Sequence, residues 1–147
     1  MPIIQAALRP APRTSVPRTV SRIALGAALL LAGLAHLTVA RREFQAQVPP
    51  WLPIPPDTVV VLSGIVEISL GGALIVLGRW RIPIGWIVAA FFVAVFPGNI
   101  AQYVEQRDAF GLDTDAARLA RLPFQFLLIA AALWTTAAWR DRRRLLG

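Results

Sequence analysis

The chain has 147 residues, 56% of them hydrophobic and 16% charged, with a mean hydropathy of +0.61 and a formal net charge of +7. That is well short of the roughly one-quarter charged residues of a soluble domain, and the apolar residues fall in four blocks near the ~20 residues that cross a bilayer as a helix. There is no cysteine and a single histidine, which excludes disulfides, thiol relays, iron–sulfur clusters, cysteine-ligated zinc and an intrachain bis-histidine haem.

The first twenty-two residues hold four prolines and four arginines. They are expected to form a disordered, basic cytoplasmic arm over 1–21 that touches anionic lipid. A first helix follows over about 22–41, built on "IALGAALLLAGLAHLTVA". This block exceeds the 7–15 apolar residues of a secretory signal, so it is expected to stay as a membrane span rather than be cleaved after "TVA". Gly26 and Gly33 lie seven apart on it, and His36 follows three residues after Gly33.

The next connection contains "QVPPWLPIPP", with five prolines in ten residues. Proline fixes φ and removes a donor, so the segment is stiff and extended. Its one large anchor, Trp51, reads either as part of a lid or as a simple interfacial wedge. A second helix is expected over about 57–78, with Asp57 as N-cap after two prolines. Its centre carries Glu67, the one ionisable group in "TVVVLSGIVEISLGGALIVLG". A charged side chain at that depth costs at least ~2.5 kcal/mol, so Glu67 is expected to face protein. Gly64, Gly71 and Gly78 repeat the seven-residue step of the first helix, which predicts a close glycine seam between the two helices. Ser63 precedes Glu67 by one turn and shares its face.

The turn "RWR" is too short for anything but an antiparallel neighbour, and a third helix is expected over about 82–104. "FPGNI" places Pro97 and Gly98 near its end, where a break in the helix would free backbone carbonyls. Asn99 follows that break. A fourth helix over about 119–139 opens with "RLPFQ", which puts Gln125 one turn inside. The basic residues 140–147 form a cytoplasmic tail. Trp80, Trp86, Trp134 and Trp139 sit where interfacial indoles are usual.

All fifteen basic residues are arginines, and they flank the apolar blocks. A nucleic-acid partner is therefore not expected, and the charges are read as topology. The ends and the "RWR" turn together hold ten arginines against one acid, Asp141, whereas the other two connections hold five against six acids. The positive-inside rule places both termini in the cytoplasm. The fold class that follows is an all-α integral membrane protein, an antiparallel four-helix transmembrane bundle occupying residues 22–139.

At 1.5 Å per residue, His36, Ser63, Asn99 and Gln125 fall in one outer-leaflet layer, with Glu67 about one turn deeper. The predicted ligand site is His36, Trp51, Ser63, Glu67, Asn99 and Gln125, a polar pocket opening outward with Glu67 as its floor. No metal site is expected.

The motifs "GLAH" (33–36), "VPPWLP" (48–53), "SGIVEISLGG" (63–72), "VFPGNI" (95–100) and "RLPFQ" (121–125) together resemble the DoxX-like membrane proteins of the DoxX/DoxD group, over about residues 20–138. The resemblance implies a four-helix protein of the bacterial inner membrane. It also implies an association with membrane oxidoreductases, including a subunit of a thiosulfate:quinone oxidoreductase. Three readings of the pocket stand side by side. It binds quinone or another small ligand as a redox-associated subunit, with His36 as donor and Glu67 as proton-exchanging carboxyl. It serves a non-enzymatic carrier or a membrane-protein assembly factor, alone or as a homo-oligomer. Or Glu67 only fixes helix register. No electron carrier can be built from this chain, so the first reading needs a redox partner protein with its own centre. No covalently bound cofactor is expected.

Overall fold

The computed structural model describes residues 2–146. It is all-helical, with no strand among the described residues beyond an isolated bridge between Ala109 and Leu112. Six helices follow in order: α1 Pro2–Leu8, α2 Val16–Leu37, α3 Arg41–Phe44, α4 Pro56–Val76, α5 Arg81–Val104 and α6 Asp115–Thr135. The helices α2, α4, α5 and α6 are long and apolar enough to cross a membrane.

Helix α2 packs on α4 and α5 packs on α6; the two pairs join through α2–α6 and α4–α5 contacts. The α2–α4 seam is the predicted glycine seam. A Cβ at Gly26 would lie 2.8 Å from the Gly71 carbonyl oxygen, and one at Gly33 would lie 2.6 Å from that of Gly64. The reciprocal positions are as tight, 2.6 Å at Gly71 and 2.9 Å at Gly64. Contacts thus run in opposite chain directions along the two helices. Gly78 stands apart from the seam: it lies past the end of α4, in a 3₁₀ turn, and faces the Arg22 guanidinium.

The helix ends depart from the sequence expectations for identifiable reasons. The arm over 1–21 is not disordered along its length: α1 occupies Pro2–Leu8 and packs against the 3₁₀ turn Arg142–Leu145 of the tail. Arg81 also ties it down, donating to the Pro12 carbonyl at 2.9 Å, to Asp141 at 2.8 Å and to the Thr136 carbonyl. Helix α2 begins at Val16, with Pro17 in its first turn, where a missing N–H costs nothing. The N-cap of α4 is Pro55, not Asp57. Asp57 lies in the first turn and accepts a two-pronged contact from Arg41 at 2.7 and 2.6 Å. Helix α6 starts four residues early because Thr114 caps it, accepting from the Ala117 N–H at 3.2 Å. It also ends four residues early. There the buried Thr136 hydroxyl donates back to the Ala132 carbonyl at 2.6 Å, and Ala137 takes φ 51°.

Helix α5 does not break at "FPGNI". It runs through Pro97 to Val104. Proline removes one helical hydrogen bond, and packing holds the helix across the gap. Gly98 serves a different purpose: the Gln47 carbonyl of the first connection sits against it where any Cβ would collide.

The apolar core occupies the half of the molecule next to the α4–α5 turn. Leu29, Leu74, Ile84, Val88, Ala89, Phe92 and Ala132, from all four long helices, form one buried cluster. The other half of the same helices holds His36, Glu67, Asn99 and Gln125 and is not filled.

Candidate functional site

That unfilled half is a cavity of about 490 Å³, within the ~300–1,000 Å³ of small-molecule sites. All six sequence-predicted residues line it: His36, Trp51, Ser63, Glu67, Asn99 and Gln125. They come from α2, the first connection, α4, α5 and α6. Apolar walls are supplied by Leu25, Leu29, Phe92, Val95 and Leu128 among others. His36, Glu67, Asn99 and Gln125 are buried and Ser63 is half-buried, while Trp51 is 70% exposed and stands at the cavity's margin.

Glu67 and His36 meet across the α2–α4 seam, where Gly64 lets the His36 Cβ approach. His36 Nδ1 lies 2.9 Å from Glu67 Oε2 and 2.8 Å from the Ala32 carbonyl oxygen one turn back on its own helix. Two acceptors face one ring nitrogen, so that nitrogen carries the proton. Its N–H is directed to Ala32, and Glu67 Oε2, buried from solvent, is left without a hydrogen-bond donor. A buried oxygen in that condition is a ready acceptor for any donor that enters the cavity. One face of the imidazole is covered by Phe44, stacked at 3.3 Å between centroids and 15° between planes.

Asn99 and Gln125 spend part of their capacity on each other. Asn99 donates to Gln125 Oε1 at 3.1 Å, and Gln125 donates to the Phe92 carbonyl. This pair ties α5 to α6 at the cavity wall. The first connection closes over the site and is itself held down. Arg107 donates to the Val48 carbonyl at 2.9 Å and Ala46 at 3.3 Å, and Glu43 accepts from the Phe110 N–H at 2.8 Å. Arg118, buried at the base of the second connection, pairs with Asp108 at 2.7 Å and gathers the surrounding carbonyls.

Among the polar and aromatic residues of the cavity, sequence reasoning missed four: Phe44, Gln47, Phe92 and Arg121. Arg121 was legible, since it lies four residues before Gln125 and so on the same helix face, but its charge was assigned to topology. Phe44 and Gln47 lie in α3 and the 3₁₀ turn Gln45–Gln47, which no periodicity announces. Among the described residues, no cluster of His, Asp and Glu has the makings of a metal site.

The model of the family described as a domain of unknown function (DUF8561) matches residues 25–136. The chain belongs to this family. The matched segment includes every residue of the cavity wall and leaves out α1 and the basic tail. No curated protein and no solved structure matches the chain.

Proposed function

We propose that this chain is a small integral protein of the bacterial inner membrane, an antiparallel four-helix bundle with cytoplasmic termini. In this reading the cavity opens outward and binds a small lipid-soluble ring, a quinone or a similar ligand, on behalf of an oxidoreductase system. The observation that carries the proposal is the His36–Glu67 pair. A buried carboxyl oxygen without a donor sits beside an imidazole, at the floor of an apolar-walled cavity lined from four helices. Quinone chemistry moves protons with electrons, and it uses a donor to a carbonyl oxygen with a carboxyl nearby. Glu67 Oε2 accepts from the hydroxyl of the quinol form, and His36, whose Nδ1–H is spent on Ala32, donates to a ring carbonyl through Nε2 only when doubly protonated; Asn99, Gln125 and Ser63 orient the ring.

A membrane location is supported by the outer surface. Leu31, Leu62, Ile87, Val93, Phe124, Phe126 and Leu127 on the four long helices are each more than half exposed, a surface that suits acyl chains and not water. The resemblance to DoxX-like proteins supports the redox setting. The electrons would come through a partner protein with its own flavin, haem or other centre. The carrier reading loses the helix break that favoured it, because α5 is continuous.

The test is thermal stability of the purified protein with quinone analogues. A ligand at a hundredfold excess over its Kd stabilises by about 2.7 kcal/mol. Wild type is expected to show an upward shift in midpoint with quinone and quinol analogues, and Glu67→Gln a much smaller one with the quinols. No shift with several quinones at saturation contradicts the proposal.

A further inference from the structure

Arg121 gives the cavity a second polar end. Arg41, Arg81, Arg118 and Arg140 each reach a carboxylate within 3.4 Å, and Arg22 and Arg107, which reach none among the described residues, are held by pairs of backbone carbonyls. Arg121, half-buried on the cavity wall, reaches none among the described residues. Its neighbours are neutral. With its amide oxygen turned toward the guanidinium, Gln47 accepts at 2.6 and 2.9 Å, and the Phe110 ring lies 5.3 Å away. An arginine held in a mostly apolar cavity without a counter-charge is costly to bury, and a bound anion removes that cost.

We infer that the ligand is amphipathic and acidic, presenting two adjacent oxygens that share a negative charge to the N–H groups of the Arg121 guanidinium that Gln47 leaves free, with its ring directed along the cavity toward Glu67. The inference rests on the cavity being a ligand site. The planar guanidinium is suited to two side-by-side oxygens, as in a carboxylate or an ionised 2-hydroxyquinone, where a carbonyl and an enolate are neighbours. The apolar walls at Leu29, Phe92 and Leu128 take the ring between the two ends.

The experiment is a tryptophan-fluorescence titration of the full-length protein in neutral detergent. The probes are 2-hydroxy-1,4-naphthoquinone, an anion at pH 7, and uncharged 1,4-naphthoquinone. Thiol addition cannot confuse the result, because the chain has no cysteine. Wild type is expected to bind the anion at least tenfold tighter. Arg121→Gln should bind both probes equally, and Arg121→Lys, which keeps the charge without the fork, should retain part of the preference. Equal affinity of wild type for the two probes overturns this inference and leaves the cavity reading intact, as does a preference that survives in Arg121→Gln. A preference abolished by phosphatidylglycerol in the micelle assigns Arg121 to a lipid headgroup and also overturns it. Binding of neither probe overturns both readings. Should Arg121→Gln fail to fold, the Arg121→Lys comparison decides.

Discussion

At Asp141 two guanidiniums converge on one carboxylate. Arg140 donates to it at 2.7 and 3.0 Å, and Arg81 donates at 2.8 Å. The hydrogen bonds from Arg140, and then those from Arg81, hold its pKa down to about 2 against the opposing effect of burial. An unfolded aspartate titrates near ~3.9. The folded value is the lower one, so this pair stabilises the protein above about pH 4 and loses its contribution as pH falls from about 4 to about 2. Wild type should therefore be more stable than Asp141→Asn by a constant margin above about pH 5, with the margin closing between pH 4 and 2. Urea unfolding in detergent across that range measures it, and a margin that stays flat down to pH 2 contradicts the pairing. At this scale the sequence was informative about the cavity and uninformative about the arginines. His36, Ser63, Glu67, Asn99 and Gln125 were legible because polar groups are rare in these helices and their depths coincide. The arginines were read as a charge count. Arg22 on the carbonyls of Leu74 and Ile75, Arg81 on Thr136 and Arg118 on the second connection are clamps on backbone, and only a folded chain brings those carbonyls within reach.

Helices α2 and α4 approach as closely as they do because glycine stands at each crossing point. A Cβ at Gly33 would meet two backbone atoms, the Gly64 oxygen at 2.6 Å and the Ile68 nitrogen at 2.9 Å. Backbone in a packed helix cannot step aside, so Gly33→Ala should cost about 1–3 kcal/mol, the usual range for overpacking. Gly72 is the control. It is a half-buried neighbour of the seam where an added Cβ meets nothing within 4 Å, and Gly72→Ala should gain up to about 1 kcal/mol of helix propensity. Thermal denaturation of the two variants in one detergent compares them directly; similar midpoints would mean that the glycines do not set the approach. The seam was legible in the sequence as a seven-residue step. The helix boundaries were less so, since they depend on Thr114 as a cap, on Thr136 folding back, and on tertiary contacts that hold α1 and carry α5 through Pro97.

The four long helices divide the molecule into two unlike halves. One is filled by Leu29, Leu74, Ile84, Val88 and their neighbours, and the other surrounds a cavity with Glu67 at its floor. The division follows from the sequence. His36, Glu67, Asn99 and Gln125 lie toward the same end of their helices, and polar groups that converge there exclude the close apolar packing of the other half. What periodicity could not supply was the cover. The first connection lies over the cavity because Gln47 fits against Gly98 and because Arg107 and Glu43 join the two connections, pairings that span about fifty to seventy residues of chain. Its stiffness and attachment suit a fixed roof, with the exposed Trp51 at its margin. In the proposed reading this cavity opens to the outer face of the membrane and holds a ligand against Glu67. Ser63 lines the cavity one turn from Glu67, and the chain has no native cysteine to interfere. The most direct measurement is labelling of Ser63→Cys in intact cells with a membrane-impermeant maleimide, with and without a saturating, fully substituted benzoquinone analogue, whose ring has no open position for thiol addition. The account predicts labelling from the outer side and protection by the analogue. Labelling that requires the cytoplasmic face to be exposed, or that proceeds at the same rate with the analogue present, would contradict it.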